Sequence, residues 1–225
     1  MKNFTGLSRY AVAQFGVRLA LLPLILSFGC SQSAASLARN AESEKSQIAQ
    51  SDMPACGCCL IRDAPANLSH KAALFPERTN VDRVLIRGII FESDGKTPAK
   101  NAVMYFYHTD ETGHYTKRGD EPRNSFAWWH GKQRGWVKTN ERGEYEINTV
   151  KPAPYPENRF AAHIHTTITT KNLKEDWIDN YLFEGDKLIT ARERQEAGRK
   201  GGFNPILTLE KDKNNIWSGV RNIQI

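Results

Sequence analysis

The sequence predicts an all-β protein, a β-sandwich with a few short helices. Three observations carry this reading. From Val81 onward, short runs rich in Val, Ile, Tyr, Phe and Thr recur at strand length. Clusters of Gly, Asn and Asp punctuate them and supply the backbone freedom that tight turns require. Only Lys171 to Asn180 and Thr190 to Lys200 read as helical, and both are short.

At 225 residues the chain has room for one sizeable β domain plus extensions. Residues 1–30 read as an export signal: Lys2, Arg9 and Arg18 precede the apolar run Leu19 to Phe28, which is too short to span a bilayer. Cys30, directly after Gly29, resembles the acceptor cysteine of bacterial lipoproteins. Lipidation there would attach the protein to a membrane surface; plain cleavage near Ala34 and Ala35 is the alternative. Both readings place the protein outside the cytoplasm, in the periplasm or as a membrane-anchored lipoprotein. Removing the signal lowers the formal charge from +6 to +3, and the remaining Lys and Arg are scattered. That pattern excludes a nucleic-acid-binding stripe.

Residues 31–80 read as a flexible tether, of which 31–52 are polar and almost without large apolar groups. It carries a cluster of Cys56, Cys58 and Cys59, for which a disulfide is the default in an oxidising compartment and soft-metal binding the alternative. The β domain occupies 81–225. Its first strand is Val84 to Phe91, closed by the turn Ser93 to Lys96. Ala102 to His108 follows, closed by Asp110 to Gly113. Trp136 to Thr139 and Tyr145 to Thr149 flank the turn Asn140 to Gly143 as an expected hairpin. Ala161 to Thr169, Ile206 to Leu209 and Ile216 to Val220 complete the set.

The chemistry concentrates in three places. Asp110-Glu111-Thr112-Gly113-His114-Tyr115 and Asn140-Glu141-Arg142-Gly143-Glu144-Tyr145 are two copies of one turn pattern, in which Gly is free to take positive φ. Tyr145 opens a β-run and reads as a packing residue, whereas no β-run follows Tyr115. Tyr155 lies between Pro154 and Pro156, whose fixed φ makes a stiff, extended loop. In His163-Ile164-His165, strand alternation puts both imidazoles on one face and Ile164 on the other. If Tyr115 and Tyr155 join the histidines, two imidazoles and two phenolates form a donor set suited to Fe(III) better than to zinc or copper.

These motifs, in this order and spacing, resemble the intradiol ring-cleavage dioxygenases, the family of protocatechuate 3,4-dioxygenase and catechol 1,2-dioxygenase. The likeness runs from about Asp82 to Ile225 and includes Tyr181 to Asp186. It implies a prealbumin-like β-sandwich, a non-haem ferric ion held by Tyr115, Tyr155, His163 and His165, and a catechol-type substrate cleaved with O2 to a muconate-type diacid. Tyr155 would leave the metal as substrate binds, and it or a water near it would accept a proton from the substrate. One position departs from the pattern. The family's arginine, three residues before the first metal histidine, is Phe160 here; Arg159 lies one place earlier and is the catalytic candidate if a bulge turns it inward.

Other readings stay open at this level. His163 and His165 could be half-buried strand histidines, or bind zinc or copper with His108, His114 or His130. The domain could be a secreted binding module with a structural or decayed metal site. Phe126, Trp128, Trp129 and His130 are candidate walls of an aromatic pocket, and Arg118, Arg123 and Arg134 candidate partners of a substrate carboxylate. Homo-oligomerisation is open.

Overall fold

The computed structural model describes residues 61, 63–74, 80–123, 125–169 and 175–225, all within the unit 54–225. The expected export signal, Cys30, the cysteine cluster and most of the expected tether lie outside the described residues.

Twelve strands form two sheets among the described residues. They are β1 (Lys71–Ala73), β2 (Arg83–Phe91), β3 (Val103–His108), β4 (Arg134–Lys138), β5 (Glu144–Val150), β6 (His163–Thr169), β7 (Glu175–Trp177), β8 (Tyr181–Phe183), β9 (Ile206–Leu207), β10 (Glu210–Lys211), β11 (Trp217–Val220) and β12 (Ile223–Gln224). The first sheet runs β1-β5-β2-β11-β10, with β12 added on β2; the second runs β4-β3-β6-β8-β9, with β7 added on β6. Two short helices, α1 (Phe126–His130) and α2 (Ala191–Glu196), sit in connections.

Apolar residues on alternate positions meet between the sheets: Val84 and Ile86 from β2, Met104 and Phe106 from β3, Ile147 from β5, Ile164 and Ile168 from β6. Tyr145 also faces this core, with its hydroxyl bonded to Tyr181 and to the Arg221 carbonyl, as a packing residue would be. Alternation then sends Tyr105 and Tyr107 of β3, with His163 and His165 of β6, to the outer face of the second sheet. The antiparallel register sets Tyr107 opposite His165 and Tyr105 opposite Thr167.

Three expectations change. The sheet begins at Lys71, inside the stretch read as tether, because β1 pairs in parallel with β5. Asn140 to Gly143 is not a hairpin turn, since β4 belongs to the second sheet and β5 to the first. Gly143, at φ +69°, offers its carbonyl to the Ile90 amide and so joins the chain to β2 rather than back to β4. The helix expected over Lys171 to Asn180 is, where described, the strand β7 paired with β6. Glu175 there is buried and takes hydrogen bonds from Thr167 Oγ1 and the Ile61 amide, so tertiary partners override local propensity.

The helix expected over Thr190 to Lys200 forms as α2, capped by reciprocal Thr190 and Glu193 hydrogen bonds. Helix α1 lies where the sequence read as loop. It is a single turn started by Ser125, whose side chain accepts from the Trp128 amide.

Candidate metal centre

The outer face of the second sheet would be open to water but for two loops that fold over it. The first leaves β3 at Asp110. The Asp110 carboxylate accepts from the amides of Thr112 and His114 and from the hydroxyls of Thr112 and Thr116, which curls the chain and aims Tyr115 back over β3 and β6. Although burial opposes ionisation, these bonds hold the carboxyl below the usual range. The second loop is Pro152 to Pro156. The Ala153 amide donates to the Asp110 carbonyl and Thr109 Oγ1 donates to the Ala153 carbonyl, fastening one loop to the other.

Two glycines let these backbones touch. A Cβ at Gly113, whose φ is +83°, would lie 2.1 Å from the Pro154 carbonyl oxygen. One at Gly131, φ +67°, would lie 2.7 Å from the Tyr115 carbonyl carbon. The sequence marked Gly113 as a turn residue; its second role, clearance for the neighbouring loop, depends on tertiary approach.

The result is a chain of four donor atoms. Tyr115 Oη lies 2.8 Å from Tyr155 Oη, which lies 3.4 Å from His163 Nε2, which lies 3.0 Å from His165 Nε2. All four residues are half-buried, so the cluster keeps an opening to the outside. Arg159 is not drawn in with them. It is exposed and forms no hydrogen bond or ion pair with any described residue. Asn158 takes a left-handed conformation (φ +50°), and Phe160 packs its ring edge-on to Tyr155 at 6.1 Å.

Hydrogen bonding shows what this cluster lacks. His163 Nδ1–H donates to the Ala161 carbonyl at 2.6 Å, and His165 Nδ1–H to Asn180 Oδ1 at 3.1 Å. Each ring therefore presents a bare lone pair at Nε2, and the two lone pairs face each other. Protonation is not the remedy: burial lowers the pKa of His163, and burial followed by the neighbouring His163 holds that of His165 well below 6.5. Burial likewise raises the Tyr115 and Tyr155 phenols above 10, with no cationic side chain opposing it. Two phenols and two neutral imidazoles converging without a cation fit a metal ion, and the donor atoms fit a hard one. Among the described residues no cluster of three or more His, Cys, Asp or Glu offers an alternative site.

The three histidines weighed as zinc or copper ligands have other places. His108 faces the opposite side of β3, with Nδ1 on the Thr109 carbonyl and Nε2 on Thr149. His114 is exposed on the turn and bonds Thr112. His130 stacks behind Tyr107 and bonds Tyr105 through Nδ1. Arg134 is tied to the buried Glu121 at 3.2 Å and to the Gly131 carbonyl, so it braces the 118–134 loop rather than awaiting a carboxylate.

Burial drives the pKa of His108 down to about 4 and that of His130 to about 3. The unfolded chain takes up protons near pH 6.5 that the folded chain refuses. Stability is therefore complete above about pH 7 and falls as pH drops towards 4. His108 alone costs on the order of 3 kcal/mol below both values. Urea titrations of metal-free protein at pH 7.5 and 4.5 should show a lower midpoint at 4.5, and His108→Asn should shrink the difference.

Residues 62–201 match the protein-family model described as Dioxygenase. The chain belongs to the intradiol dioxygenase family. The chain is similar in fold to chlorocatechol 1,2-dioxygenase from Pseudomonas putida, at 17% identity and a TM-score of 0.54, with 85% of each chain covered. It is also similar to 3-chlorocatechol 1,2-dioxygenase from Rhodococcus opacus 1CP, at 15% identity and a TM-score of 0.50, covering 85% of this chain and 88% of that one. The family match begins at residue 62, consistent with a domain that includes β1.

Two residues near the cluster were not picked out from sequence. Asn180 fixes the His165 ring from a segment read as helix end. Tyr107 stacks on His165 at 4.6 Å, and alternation along β3 was the signal that could have found it.

Proposed function

We propose that this intradiol dioxygenase is a non-haem Fe(III) enzyme that cleaves a catechol-type ring with O2. The observation that carries the reading is the convergence of Tyr115 Oη, Tyr155 Oη, His163 Nε2 and His165 Nε2 with two lone pairs opposed at 3.0 Å. These four residues would hold the ion. A ferric ion at these residues would supply positive charge that favours phenolate over phenol and catecholate over catechol, the electron-rich form that reacts with O2. The bond between the two hydroxyl-bearing carbons breaks, and both oxygen atoms of O2 enter a cis,cis-muconate-type dicarboxylate.

The chain's own residues divide the remaining work. Tyr155, on a loop stiffened by two prolines, takes a catechol proton at Oη as the substrate enters. Tyr115, whose backbone packs closely against Gly131, stays in place. Asn180 and the Ala161 carbonyl fix both imidazoles with Nε2 towards the reacting centre. Phe160, 49% exposed beside Tyr155, gives the opening an apolar edge where a cationic one was expected.

Protein purified from iron-replete cells should be red-brown from tyrosinate-to-iron absorption and should consume O2 with a panel of catechols. Colourless, iron-free protein that binds catechols without turnover would favour the binding-module reading. Export rests on residues 1–30: a radiolabelled fatty acid should enter the wild type and not Cys30→Ala. Labelling of neither, with a mature N-terminus near Ala34, would mean plain cleavage.

A further inference from the structure

Tyr107 is a third tyrosine at the centre, and among the described residues nothing uses its hydroxyl. The residue is 3% exposed, yet its Oη makes no hydrogen bond with any described residue. Its ring is clamped. One face lies on His130, with centroids 3.6 Å apart and planes at 9°; the other lies on His165, at 4.6 Å and 24°. The Tyr115 ring stands 5.9 Å away. Register fixes this placement, because Tyr107 and His165 are Cα partners across β3 and β6 and leave the same face of the sheet. Strand side chains stand roughly perpendicular to the sheet, so the phenol and the imidazole project side by side.

The hydroxyl itself is not sealed from solvent, so it is open to a hydrogen bond with water or a ligand. Aromatic clamping on both faces removes the rotational freedom by which the hydroxyl could find another partner. We propose that Tyr107 is a substrate-contacting residue whose hydroxyl donates a hydrogen bond to an anionic oxygen of the bound catechol. This rests on the catechol-cleaving reading above and adds to it a donor outside the metal-ligand set. As a neutral phenol, Tyr107 has a proton to give where Tyr115 and Tyr155 as phenolates would have none. A donor aimed at a catechol oxygen would favour substrates that bind as anions through both oxygens.

The test is anaerobic titration of iron-loaded protein with catechol, following the visible band as the phenolate ligands are perturbed. Tyr107→Phe keeps both stacking faces and loses only the hydroxyl. It should retain the colour and iron content of the wild type but bind catechol about tenfold more weakly, as expected for a hydrogen bond to a charged group. KM should rise more than kcat falls. Unchanged catechol affinity would overturn the assignment. Loss of iron and colour in Tyr107→Phe would also overturn it, by making the hydroxyl part of the metal's own support. A wild type with no catechol-induced spectral change would instead sink the catechol reading, and this inference with it.

Discussion

His165→Ala is expected to give a folded, colourless protein that takes up no oxygen with any catechol. The substitution removes one of four donor atoms and leaves three, two of them phenols that burial keeps protonated unless a cation is bound. Losing one imidazole therefore also weakens the drive that ionises the tyrosines, so the donors fail together rather than one at a time. The loss in kcat/KM should exceed about a thousandfold, or roughly 4 kcal/mol of transition-state stabilisation. His108→Asn is the matched control. It changes a fully buried histidine on the other face of β3, and should lower stability while leaving iron content and visible absorption intact. Full iron loading and oxygen uptake in His165→Ala would show that the metal, if any, lies elsewhere.

The parts of this site that were legible in the sequence are those fixed by local rules. Alternation in His163-Ile164-His165 places Ile164 in the core and both rings outside it. Prolines on both sides of Tyr155 stiffen its loop, and Asp110 with Gly113 makes the turn before Tyr115. Strand existence was also legible, from Val84 to Phe91 and from Ala102 to His108, because β-branched and aromatic runs bounded by turn residues are a local signal. What was not legible depends on partners distant in sequence. The segment Trp136 to Thr149 looks like a hairpin locally, and only the competing attraction of β2 for β5 sends its two strands to different sheets. The brevity of β7, β8 and β12 hides them from any periodicity. Asn180 gains its role from meeting His165 across fifteen residues, and Tyr107 from being sandwiched between His130 and His165.

Gly113→Ala should damage the centre although the residue supplies no donor atom. The added Cβ would lie 2.1 Å from the Pro154 carbonyl oxygen and 3.4 Å from Pro156 Cδ, and the backbone at φ +83° already disfavours any side chain. Both obstacles sit on the segment that carries Tyr155, so the strain cannot relax without parting the two loops. Separation of those loops pulls Tyr115 Oη from Tyr155 Oη and opens the cluster. A stability loss of about 2 to 4 kcal/mol is expected, read as a fall in the urea midpoint. More telling is the comparison with Gly185→Ala, another glycine at positive φ (+89°) but with open space around its missing Cβ. That variant bears the backbone strain alone, so it should lose about 1 kcal/mol and keep its iron. If both variants lose the same stability and both keep the visible band, contact between the Tyr115 and Tyr155 loops is not what assembles the centre.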